Sequence, residues 1–126
     1  SQGTKDYIYL NGELIAFVYI NTVHYVHNDH LATPQVVTTT AGNIRWRATA
    51  KPFGDASISP SNVTLNVRYP GQYFDSESGL HYNYFRYYEP DSGRYVTSDP
   101  IGLAGGWNTF AYAGGNPVSG VDPFGL

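Results

Sequence analysis

Two carboxylates occupy equivalent local settings near the end of this 126-residue sequence. Asp99-Pro100-Ile101-Gly102-Leu103 and Asp122-Pro123-Phe124-Gly125-Leu126 are copies of one Asp-Pro-x-Gly-Leu pentapeptide, and the second copy closes the chain. Asp-Pro followed by Gly is turn chemistry: Pro fixes φ, Gly accepts positive φ, and Asp bonds its own backbone two residues on. Taken singly, either Asp is a turn-starter. Taken together, the two copies let a chain present a pair of acids to one site. Two carboxylates held close cannot both ionise cheaply, so one keeps a proton near neutral pH. The ionised partner can activate a water while the protonated one polarises a carbonyl, which is the aspartic-protease arrangement.

The elements that must position these acids are strands and tight turns. The sequence has 14 Gly, 8 Pro and 12 Tyr, with 16% aromatic and only 13% charged residues. That mix suits an all-β fold. Asn11-Gly12 predicts a two-residue hairpin between alternating runs, with Tyr7, Tyr9, Leu14, Ala16, Val18 and Ile20 on one side. Ile15, Phe17 and Tyr19 fall on the other face. Tyr25 to His27 reads as a short strand. Val36-Val37-Thr38-Thr39 and Ile44-Arg45-Trp46-Arg47 flank a hairpin turn at Ala41-Gly42-Asn43. Lys51 to Asp55 is a turn, and the polar Ser57 to Asn62, with Pro60, reads as a loop or internal boundary.

The second half repeats itself loosely. Phe74-Asp75-Ser76-Glu77-Ser78-Gly79-Leu80 is echoed by Tyr88-Glu89-Pro90-Asp91-Ser92-Gly93-Arg94. Each copy carries an aromatic, an acid and Ser-Gly before the next strand, which predicts stacked hairpins. Tyr82, Tyr84, Tyr87 and Tyr88 are expected to line a strand around Arg86. Gly105-Gly106 and Gly114-Gly115 bracket residues 107–112, read as one short helical turn. The division expected is 1–62, β-hairpins, and 63–126, a core ending in segment 98–126.

Several motifs together resemble one family. They are Asp29-His30-Leu31-Ala32-Thr33-Pro34, Tyr69-Pro70-Gly71-Gln72-Tyr73-Phe74-Asp75 and Gly79-Leu80-His81-Tyr82-Asn83-Tyr84-Phe85-Arg86-Tyr87-Tyr88. Gly93-Arg94-Tyr95, Ala111-Tyr112, Asn116-Pro117 and the two Asp-Pro-x-Gly-Leu copies complete the set. The chain is similar to the RHS repeat-associated core that ends the shell of Rhs (rearrangement hotspot) and other YD-repeat proteins, including the C component of insecticidal toxin complexes. Ala32 stands where the family usually has Gly.

The resemblance implies a fold and an activity. The fold is a set of twisted antiparallel hairpins continuing a YD-repeat spiral sheet, with an inward-curling C-terminal plug. The activity is intramolecular aspartyl autoproteolysis after Leu126 in a single turnover, releasing a C-terminal toxin. Carried over by position, Asp99 and Asp122 are the catalytic pair. Arg86 is the guanidinium that lowers one pKa and fixes the geometry, and Arg94 is the fallback for that role. Implied partners are the upstream shell of the same protein, the downstream toxin domain and a secretion-system or toxin-complex carrier. The implied setting is a bacterial protein exported by type VI secretion or within a toxin complex. No cofactor is implied. Two other readings stand beside this one: a structural cap without activity, in which Arg86 makes a plain salt bridge, and a carbohydrate- or receptor-binding β-module.

Composition narrows the rest. The formal net charge of −3 and the lack of a basic stripe argue against nucleic acid. No apolar run is long enough to span a membrane. Without Cys there are no disulfides or thiolate metal sites. His24, His27 and His30 invite a metal, but strand spacing turns His27 to the opposite face. The Tyr and Trp rings could stack sugars or bases; core packing is their default role. The absence of Met and the opening Ser1-Gln2-Gly3 read as an internal or processed start, and Leu126 as an end made by cleavage.

Overall fold

A computed structural model describes residues 4–126, so the opening Ser1-Gln2-Gly3 lies outside it. The fold is all-β, as the composition predicts, and its strands pair antiparallel, as the hairpin turns and the resemblance lead one to expect. It divides into two compact units, Ser1–Thr49 with Ser57–Leu65, and Ala50–Ala56 with Asn66–Leu126. No helix among the described residues is long and apolar enough to cross a membrane.

The first unit is a meander. Its strands are β1 (Lys5–Leu10), β2 (Glu13–Tyr19), β3 (Thr22–Asn28), β4 (Pro34–Thr39), β5 (Ile44–Ala50) and β6 (Ala56–Ser61), neighbouring one another in chain order. Asn11-Gly12 makes the first turn, both residues at positive φ, as expected. The faces of β2 differ from simple alternation. The register slips between Ile8↔Ala16 and Tyr9↔Leu14, leaving Ile15 as an extra residue. This bulge puts Leu14 and Phe17 on the face of Tyr9 and Tyr7 and lets Ile15 surface. Phe17 then stacks on His24, ring centroids 4.9 Å apart, above a core of Val26, Val37 and Trp46. Ser57 to Ser61, expected as a loop, belongs to β6. An edge strand has one unpaired side, where Pro60 costs no ladder bond.

The second unit has a four-stranded sheet in the order β10-β9-β8-β7. Its strands are β7 (Tyr73–Phe74), β8 (His81–Asn83), β9 (Arg86–Glu89) and β10 (Arg94–Tyr95). The two Ser-Gly turns close β7–β8 and β9–β10, as the loose repeat predicts. The aromatic run around Arg86 is two strands, not one: Tyr84 and Phe85 turn between them, with Tyr84 at φ +50°. Asn83 therefore pairs directly with Arg86 across the hairpin. One face carries the buried His81, Asn83, Arg86, Tyr88 and Tyr95, and the other the exposed Tyr82 and Tyr87.

The core of this unit is tyrosine. Tyr69, Tyr88, Tyr95 and Tyr112 are buried with ring centroids 4.8 to 6.0 Å apart. A buried phenol needs a partner, and three of the four find main chain or carboxylate, the Tyr112 hydroxyl being the exception. Tyr69 donates to the Pro52 carbonyl at 2.6 Å, Tyr88 to the Phe53 carbonyl, and Tyr95 to Asp122. The hydroxyls thus anchor segment 52–53 and the C-terminal turn on the same core. Short 3-10 turns occupy Gly102–Gly105 and Ala113–Gly115. Residues 107–112, expected as a helical turn, run between them as bends with a bridge at Arg94↔Ala111.

Candidate functional site

Each Asp-Pro-x-Gly-Leu copy folds as its residues dictate. Asp99 Oδ1 accepts the Ile101 amide at 2.9 Å, and the Gly102 amide reaches back to the Asp99 carbonyl. Asp122 Oδ1 accepts the amides of Gly125 at 2.9 Å and Leu126 at 3.1 Å. Both side chains are thus held by their own turns, and each leaves Oδ2 free to face elsewhere.

Both Oδ2 atoms face Arg86. Its Nη2 lies 3.4 Å from Asp99 Oδ2 and 3.6 Å from Asp122 Oδ2. The guanidinium is 1% exposed, and its other nitrogens meet main chain: Nε donates to the Gly125 carbonyl at 2.6 Å and Nη1 to the Thr109 carbonyl at 2.9 Å. Its carbon sits 3.6 Å from the centroid of the Tyr95 ring. A planar fork with donors on three sides fits this set; a lysine ammonium does not. Arg94, the fallback, is exposed on β10. The three residues singled out by sequence, Asp99, Asp122 and Arg86, are therefore together, and Leu126 joins them through the Asp122 carboxylate.

Asn83 and Tyr95, given no role from sequence, complete the cluster. Asn83 Nδ2 donates to the Tyr95 hydroxyl at 2.7 Å and to the Asp122 carbonyl at 2.8 Å. The Tyr95 hydroxyl donates to Asp122 Oδ2 at 2.7 Å. Burial, and then this bond, push the hydroxyl far above the ordinary tyrosine range, so it remains a donor. Their positions on the Arg86 face depend on the Tyr84-Phe85 turn, which simple alternation does not show. Their target, a turn far along the chain, was not readable either.

A cavity of about 380 Å³ opens onto the pair. Asp99, Asp122 and Leu126 line it, with Gly105, Gly106 and Gly114 among its small-residue walls. Trp107 stands at its edge, 96% exposed. Among the described residues no group of three or more His, Asp or Glu is placed to hold a metal ion. His24 bonds the Thr22 carbonyl and His27 the Thr38 hydroxyl.

Comparison with known proteins gives this arrangement a context. Residues 23–57 match the family model described as RHS protein. The chain is 45% identical over 106 residues to the uncharacterized protein YibJ of Escherichia coli (strain K12), covering 82% of this chain and 45% of that protein. It is 43% identical over 109 residues to double-stranded DNA deaminase toxin A of Burkholderia cenocepacia (strain H111), covering 82% of this chain and 8% of the toxin. The fold matches the crystal structure of TcdB2-TccC3 without its hypervariable C-terminal region, with a TM-score of 0.84 at 25% identity over 97% of this chain and 6% of the other. The chain thus spans less than half the length of the relatives it matches. With the family model over residues 23–57, these identities and a shared fold along nearly the whole chain, it belongs to the Rhs family and corresponds to its core domain.

Proposed function

We propose that this segment ends an Rhs-type shell and cuts its own chain after Leu126, with Asp99 and Asp122 as the acid–base pair and Arg86 as the group that positions them. The observation that carries the proposal is the placement of both Oδ2 atoms on one guanidinium nitrogen, beside a cavity that Leu126 also lines. In the reaction a carboxylate takes a proton from water, and the water oxygen attacks the Leu126 carbonyl carbon. The paired acid gives a proton to the departing amide nitrogen as the carbon–nitrogen bond breaks. The Asp122 turn holds the Leu126 amide, so the scissile carbonyl is tethered within one residue of a catalytic group. The partners are the preceding shell of the same polypeptide, a following toxin domain and an export carrier, in keeping with the toxin named among the relatives.

A second reading rests on a specific observation. Arg86 bonds the carbonyls of Gly125 and Thr109 as well as the acids, which is what a purely structural clasp requires. The two readings separate by intact-mass analysis of a polypeptide extended beyond Leu126. Under the proposal, wild type yields a fragment ending at Leu126, while Asp99→Asn and Asp122→Asn stay whole. The double variant is no worse than either single one, because the pair acts as a unit. A wild-type chain that stays whole leaves the clasp.

A further inference from the structure

We propose that Tyr95 is a positioning residue for chain cleavage, its hydroxyl holding Asp122 Oδ2 as a hydrogen-bond acceptor through a one-way relay from Asn83. This rests on the self-cleavage reading and adds to it a residue with a defined task.

The direction of the relay follows from donor and acceptor inventories. The Asn83 amide nitrogen can only donate. Its orientation is fixed because the same nitrogen faces the Asp122 main-chain carbonyl, which can only accept. Tyr95 therefore receives a hydrogen from Asn83, and its own hydrogen must go to Asp122 Oδ2. The remaining contacts of that carboxylate are also with donors: the Gly125 and Leu126 amides on Oδ1 and the Arg86 guanidinium near Oδ2. Asp122 is thus surrounded by donors. Both acids line the cavity, but Asp99 makes only one amide bond on Oδ1 and the long contact with Arg86 on Oδ2. The two acids are not equivalent: Asp122 is the fixed acceptor, and Asp99 is the member free to exchange hydrogen bonds with a substrate group.

Tyr95 suits this task. It is 1% exposed, its ring centroid lies 3.6 Å from the Arg86 guanidinium carbon, and Tyr88 and Tyr112 pack around it. The hydroxyl cannot swing away. Asn83 touches Asp122 twice, directly at the main chain and through Tyr95 at the side chain, so the β8–β9 hairpin sets both position and rotation of the carboxylate.

Tyr95→Phe, in the full polypeptide extended beyond Leu126, removes the hydroxyl and keeps the ring. Cleavage is expected to slow by about tenfold to a hundredfold, the usual cost of losing a supporting hydrogen bond to a reactive group. The acid limb of the pH–rate profile should move to higher pH, which loss of packing alone would not cause. Folding is checked in an uncut background by comparing the melting of Asp99→Asn with that of Asp99→Asn/Tyr95→Phe. If the phenylalanine variant does not fold, site-specific fluorotyrosine at position 95 keeps ring and hydroxyl but strengthens the donor, and the acid limb should move the other way. A wild-type rate, or a slower rate with an unmoved profile, overturns the proposal. If Asp99→Asn itself cuts normally, the self-cleavage reading has failed; if Asp99→Asn blocks cutting and the position-95 variants leave the profile unmoved, only the role of Tyr95 has failed.

Discussion

Gly105 lies against the carboxylate of Asp99. A Cβ built on it would overlap Oδ2 and stand 3.2 Å from Cγ. The backbone at this glycine is not in the left-handed region, so alanine is conformationally acceptable there; the missing Cβ makes room for the acid. Gly105→Ala should push the Asp99 side chain off Arg86 while leaving the main chain in place. The expected result is cleavage slowed by about a hundredfold, since small misplacements of reacting groups cost that much. The loss of stability should be about 1–3 kcal/mol, the usual cost of overpacking a tight site. A time course by intact mass and a urea titration check the two halves. A wild-type rate in Gly105→Ala would show that Asp99 need not occupy this position.

Arg86→Lys keeps a positive charge and loses the fork. One ammonium cannot serve the Gly125 carbonyl, the Thr109 carbonyl and two carboxylates from the same position. The buried Gly125 carbonyl then loses its donor, at roughly 1–3 kcal/mol before relaxation, while the Thr109 carbonyl keeps the Asp99 amide. Cleavage should slow and the urea midpoint should fall together. If cleavage slows with no fall in the midpoint, the carbonyl bonds contribute nothing to stability.

What could be read in the sequence follows the range of the forces involved. The Asp-Pro-x-Gly-Leu turns and the Asn11-Gly12 hairpin are local, and residue type alone specifies them. The Tyr84-Phe85 turn was missed because neither residue is turn chemistry; Tyr84 is held at φ +50° by its surroundings, including the Phe85 amide on the Phe124 carbonyl. The Ile15 bulge was missed because alternation assumes an uninterrupted register. Ala32, where the resemblance leads one to expect Gly, adopts φ +59°, a conformation glycine reaches without strain. Asp99, Asp122 and Arg86 were found as motif positions. Asn83 and Tyr95 lay in quoted motifs too, but their partner is a turn distant in the chain, and no local periodicity reports such a contact.

His81 supplies a pH dependence. Burial, with the charge of Arg68 second, pulls its imidazole down to about 4, and Nδ1 bonds the Gln72 side-chain oxygen at 2.9 Å. The folded pKa lies below the unfolded value of 6.5, so between the two only the unfolded chain takes up the proton. This contribution is fully present above about pH 6.5 and is lost as pH falls toward 4, reaching about 3 kcal/mol there and about 2 kcal/mol at pH 5. His81→Gln should show a shallower loss of urea stability between pH 7 and 5 than wild type. Both chains carry the same carboxylates, so the difference isolates the imidazole. Equal slopes would mean that His81 does not titrate in this window.

Gly71 holds the C-terminal turn from outside. Pro70 and Gly71 form a tight turn closed by the Gln72 amide on the Tyr69 carbonyl, and Gly71 sits at φ +85°. A Cβ there would overlap the Pro123 carbonyl oxygen and stand 2.8 Å from its carbon. These are main-chain atoms of the turn that carries the Gly125 carbonyl to Arg86 and the Leu126 amide to Asp122. Gly71→Ala therefore has two costs: left-handed strain of about 1 kcal/mol and overpacking against backbone of about 1–3 kcal/mol more. Gly79 separates them. It sits at φ +75° with nothing within 4 Å of a built Cβ, so Gly79→Ala carries the strain alone. Both variants should lose stability, Gly71→Ala by the larger amount. Only Gly71→Ala should slow cleavage, because only it displaces Pro123 and so moves Asp122 relative to Asp99. Urea titration and a cleavage time course on the two variants decide the matter. Equal cleavage by both would mean that the 122–126 turn tolerates displacement, and that the close fit of Gly71 to Pro123 serves folding alone.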